Sequence, residues 1–131
     1  MGQQQLLLII LGVIIVGVAV AVAISLFSDN SASSNRDAMA TDLVHLAAKA
    51  RHYYGRPTSM GGGGRSFENV TIDKLATDKF LNNANGTYSI TYVDADSVIL
   101  KGVGKVLKPN GDSIRVSLTV LAKGPREVVE L

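Results

Sequence analysis

The chain has 131 residues, a formal net charge of +2 and no cysteine. That length fits one domain with an appendage. The missing thiols exclude disulfide scaffolds, thiolate metal sites and thiol catalysis, and the small net charge argues against a nucleic-acid partner. Charge is unevenly placed, because every Asp, Glu, Lys and Arg lies at or beyond Asp29.

The first element predicted is helical. Leu6 to Phe27 is 22 residues without a charge, which as a helix would span about 33 Å, enough to cross a bilayer's hydrocarbon core. Leu6, Ile10, Val13, Ile14, Val16, Val20, Ile24 and Phe27 spread around the helix, so no face is polar and the whole surface needs a cover of lipid or protein. Small residues recur at helical spacing (Gly17/Ala21, Ala19/Ala23, Ala21/Ser25), a pattern that lets helix backbones approach closely. Gly12 and Gly17 are places where such a helix could bend. Three readings compete. They are a secretory signal cleaved after Ala23, which would want a basic start; a permanent single-pass anchor, which lacks flanking positive charge; and a helix that leaves the membrane to pack on copies of itself.

Ser28 to Asn35 reads SDNSASSN, a polar segment predicted as a break or a kink, with Ser34 and Asp37 at capping-box spacing. Beyond it Met39, Leu43, Leu46, Ala47, Ala50, Tyr53 and Tyr54 recur every three or four residues opposite Arg36, Asp42, Lys49 and Arg51. This predicts an amphipathic helix ending at Arg56-Pro57. Residues 1–54 thus form one N-terminal unit (1–27 apolar, 28–35 break or kink, 36–54 amphipathic), and 55–131 a β-rich head.

In the head, Gly61 to Gly64 with Arg65 reads as a mobile loop, since GGGGRS lacks the spacing of a phosphate-binding loop. Thr71 to Leu81 predicts one short helix with Thr71 as N-cap and Ile72, Leu75 and Phe80 inward. Thr87 to Val93 alternates, with Tyr88, Ile90 and Tyr92 on one face. Ser97 to Leu107 is a long strand loosened by Gly102 and Gly104. Pro109-Asn110-Gly111-Asp112 is a hairpin turn in which Asn-Gly supplies positive φ. Ile114, Val116, Leu118 and Val120 line the returning strand, and Glu127 to Leu131 follow Gly124-Pro125 as an edge strand. The fold class is α+β: a long apolar helix continuing into an amphipathic one packed on a three- or four-stranded antiparallel meander.

Candidate chemistry is sparse. His45 and His52 share a helix face but are about 10.5 Å apart along the axis, too far for one metal ion. Asp94 and Asp96 sit where a turn wants Asp. The aromatics fall mostly on core faces. No catalytic residues, metal or cofactor are read from the sequence, and no enzyme activity. Asn69-Val70-Thr71 and Asn85-Gly86-Thr87 match glycosylation sequons, making Asn69 and Asn85 modification candidates.

The opening segment, MGQQQLLLIILGVIIVGVAVAVAISLF, resembles the N-terminal helix of type IV pilins and related pilin-like filament subunits. The likeness covers the first 27 residues as pattern and the rest as layout. It implies a subunit held in the inner membrane, processed by a prepilin peptidase near Met1 and Gly2, and drawn by an assembly ATPase into an extracellular homopolymer with its apolar helices at the axis. Gln5 stands where family members commonly carry a glutamate if Met1 is the mature first residue, the start favoured here. By this reading Gln5, Gly12, Gly17, Ala21 and Phe27 are the assembly residues. A minor pseudopilin of a secretion apparatus shares the same pattern, and a membrane-anchored envelope protein with a partner-binding head is the alternative.

Overall fold

The computed structural model describes residues 2–123 and 127–130. Helix α1, Gly2–Gly55, runs unbroken for 54 residues, a rod of about 81 Å. The break expected at 28–35 does not form. Serine and asparagine favour caps, yet each costs only about 0.5 kcal/mol inside a helix. Here Asn35 is buried and its Nδ2 donates to the Asn85 carbonyl at 2.8 Å, so tertiary contact holds the segment helical. Ser34 is exposed within the helix, and the capping box is not needed.

The remaining elements form the head: a 3₁₀ turn Thr58–Met60, one-turn helices α2 (Ile72–Leu75) and α3 (Asp78–Leu81), and strands β1 (Gly86–Val93), β2 (Ser97–Leu107), β3 (Ser113–Leu121) and β4 (Glu127–Glu130). The strands make one antiparallel sheet in the order β1-β2-β3-β4. An α+β chain, a long apolar helix followed by a small antiparallel sheet, is what the structure shows. Leu131 and the Gly124-Pro125 approach to β4 lie outside the described residues.

The sheet packs its inner face on the C-terminal half of α1. Met39, Leu43, Leu46, Ala47, Ala50 and Tyr53 from the helix meet Val98, Leu100, Ile114, Val116, Leu118 and Val120, all buried. These are the apolar stripes the periodicities of 3.6 and 2 select. Gly102 and Gly104 do more than loosen β2, because they let the helix come close. A Cβ on Gly102 would meet Met39 Cε at 3.1 Å and Tyr88 Cε1 at 3.0 Å, and one on Gly104 would reach Met39 Sδ at 2.9 Å.

Four further expectations need correction. Thr71 to Leu81 is two one-turn helices, because Ala76 and Thr77 are extended (φ −157° and −78°), and Thr71 makes no side-chain capping bond. Tyr92 is exposed rather than inward, because the β1–β2 register shifts between Ile90 and Tyr92, and a bulge reverses the alternation beyond it. At the β2–β3 turn Gly111 alone takes positive φ (+89°), since Pro109 fixes its own φ near −65°.

The glycine run is the fourth. It caps α1: Gly63 donates to the Tyr53 carbonyl (2.9 Å), Gly64 to Arg56 (2.9 Å) and Arg65 to Tyr54 (2.8 Å). Carbonyls at a helix C-terminus lack intrahelical donors, and this loop supplies them. Gly64 and Arg65 both adopt positive φ there (+59° and +65°).

Candidate assembly surface

From Leu6 to Phe27 every residue of α1 is exposed. Sixteen large apolar side chains lie there, from Leu6 at 60% to Phe27 at 75% exposure. Burying such side chains is worth about 1.5–3 kcal/mol each, so covering the segment is worth tens of kcal/mol. The helix is long and apolar enough to cross a membrane, and none of its most apolar stretch is buried within the chain. Gln5, Gly12, Gly17 and Ala21 all lie on this exposed rod. A Cβ placed on Gly12 or Gly17 meets nothing within 4 Å, so both are open to close approach from outside. Gly2 begins the helix, and Met1 lies outside the described residues.

The head-bearing half of α1 is tied to the sheet by a polar cluster that the sequence reading missed. Asp42 Oδ2 accepts from the Tyr88 hydroxyl (2.5 Å), Asn83 Nδ2 (3.0 Å) and Asn85 Nδ2 (3.0 Å). Asn83 Oδ1 in turn accepts from the backbone N–H groups of Asn85 (2.9 Å) and Gly86 (3.2 Å). Together these bonds tie the start of β1 to α1, and Asn35, about two turns before Asp42, adds its bond to the Asn85 carbonyl. Asn35 Oδ1 is buried with no hydrogen-bond partner among the described residues.

Burial works against the charge on Asp42. The hydrogen bonds from Asn85, Tyr88 and Asn83 and the nearby His45 outweigh it, and hold the carboxyl below its ordinary 3.8. Burial, the bond to Asp42 and that carboxylate's charge push the Tyr88 phenol well above its usual range. Three hydrogen bonds to a charged acceptor form a strong tether. The asparagine-rich run Asn82-Asn83-Ala84-Asn85 before β1 is the sequence signal for this cluster.

The other singled-out residues fall apart in space or in role. His45 is exposed with its ring centre 5.3 Å from that of Phe80, and His52 lies two turns further along α1. Asn69 is exposed, whereas the Asn85 side-chain amide is engaged by Asp42. Asp94 Oδ1 accepts from the N–H of the next residue, Ala95 (2.7 Å), a local contact within the β1–β2 turn. The chain matches no family model, no curated protein and no solved structure.

Proposed function

We propose that the chain is the structural subunit of an extracellular, type IV pilus-like helical filament. The observation that supports this reading is the wholly exposed Leu6–Phe27 rod, continuous in one helix with the half that carries the head. A helix apolar all round must be covered. Before assembly the inner membrane covers it, and in the fibre copies of itself do. Lipid tails are as apolar as leucine, so the gain on assembly comes from close packing at small residues, here Gly12, Gly17 and Ala21. Gln5 hydrogen-bonds helix-start amides of a neighbour, groups that have no intrahelical acceptor. The role is structural, not catalytic, and assembly machinery and a second copy are the partners.

The test is electron microscopy of material sheared from the source cells, with the mass of the subunit's N-terminus measured on the same material. Fibres built of this chain are expected. Absence of fibres, with the chain released by detergent alone, would overturn the reading in favour of a single-pass envelope protein.

A further inference from the structure

The far end of the head, about 42 Å along α1 from Phe27, carries a cleft of about 330 Å³ lined by Lys49, His52, Tyr53, Arg56, Gly61 and Lys74. Lys49 and His52 stand at i and i+3 in the last turns of α1, so they share one side of the helix, and Arg56, the residue after α1, donates its N–H to the His52 carbonyl (3.1 Å) and lines the same cleft. Lys74 closes the opposite wall from α2. Its Nζ donates to the Asn69 carbonyl at 2.9 Å and lies 5.6 Å from the centre of the Tyr53 ring, which leaves further ammonium hydrogens for a ligand.

No carboxylate among the described residues lines this cleft. Among the described residues none of Lys49, His52, Arg56 and Lys74 is in an ion pair. The whole chain has 13 basic and 11 acidic side chains, so three cations gathered with no carboxylate in the described lining make a local positive excess. Such a concavity focuses field on an anion.

We propose that this cleft binds one tetrahedral oxyanion, a phosphate or sulfate, free or as the monoester of a sugar-sized carrier. The Arg56 guanidinium matches two oxygens of such a group in its planar fork, and Lys49 and Lys74 contribute point charges on either side. The 330 Å³ volume accommodates the oxyanion with a small carrier. A long polyanion would need the basic track to continue. Lys108 and Arg115 instead line clefts by the β2–β3 turn, one of them shared with Ala32, Ser33 and Arg36, at the other end of the head. The proposal does not depend on polymerisation.

The experiment is calorimetric titration of the full chain in detergent micelles, in about 150 mM chloride so that loose surface association is screened. The probes are inorganic phosphate, inorganic sulfate and glucose 6-phosphate. Saturable 1:1 binding of at least one probe is expected, weakened about tenfold by Lys49→Gln and by Arg56→Gln, and unchanged by Lys105→Gln, an exposed lysine of β2 that does not line the cleft. Equal affinity for phosphate and glucose 6-phosphate identifies the free ion, and preference for the ester identifies a carried group; either supports the site. The head's melting temperature, followed in each variant, must stay at the parent value. Heats that never saturate, or a Lys49→Gln/Arg56→Gln double variant that melts like the parent and binds as tightly, would overturn the proposal. So would an about 20-nucleotide DNA that binds more tightly than the monoester and is weakened by Lys105→Gln, because that dependence requires a track along the head.

Discussion

The two halves of α1 have the same backbone and opposite fates. From Leu6 to Phe27 its apolar side chains all face outward, whereas from Asn35 to Tyr53 one stripe is sealed under the sheet. The difference lies in how the apolar residues are distributed, on every side of the first half and along one side of the second. A stripe repeating at three and four residues leaves a polar back and can be covered by one sheet, while an all-round apolar surface cannot be satisfied by a head of this size. The second half therefore folds the protein and the first is left for something outside it. Each half should consequently respond to mutation in its own assay.

The largest expected effect is on assembly. Gly17→Leu and Ala21→Leu should abolish fibres while leaving the head's melting temperature at the wild-type value, because neither site touches the head. Micrographs showing normal fibres from both, with wild-type helical symmetry, would break the comparison. Next is the converse pair. Leu43 is fully buried, so Leu43→Ala should cost about 2–5 kcal/mol in denaturant unfolding of the head. Leu8→Ala, on the exposed rod, should leave that midpoint unchanged.

Asp42→Ala should cost about 2 kcal/mol, because Tyr88, Asn83 and Asn85 lose their shared acceptor. The sign of its pH dependence follows from the lowered carboxyl. Asp42 binds its proton less readily folded than unfolded. Its stabilising contribution is thus fully present above the ordinary carboxylate value and is lost as pH falls through the lower folded one. Acid titration of the head's stability should show this loss in the parent and a shallower slope in Asp42→Ala. Parallel slopes would mean the tether is not electrostatic. The smallest effect belongs to Gly111→Ala at the hairpin turn, about 1 kcal/mol from its φ of +89°, read as a modest fall in the head's melting temperature with assembly unaffected.

The sequence by itself determined the parts whose signal is local and periodic. The charge-free run, the stripe Met39-Leu43-Leu46-Ala47-Ala50-Tyr53 and the alternation Ile114-Val116-Leu118-Val120 needed no partner to be legible, because a helix or strand buries residues at its own repeat. Tertiary structure decided whatever depended on a residue distant in sequence. Asn35 held the serine-rich segment helical through Asn85, 50 residues away, and a bulge against β2 turned Tyr92 outward. The glycine run became a cap by finding the carbonyls of Tyr53, Tyr54 and Arg56. Asp42 gathered Asn83, Asn85 and Tyr88 across more than 40 residues, and Lys74 met the basic side of α1 only when α2 folded back. Polar side chains carry no period of their own, and their role is fixed by which donors and acceptors the closed fold leaves within reach.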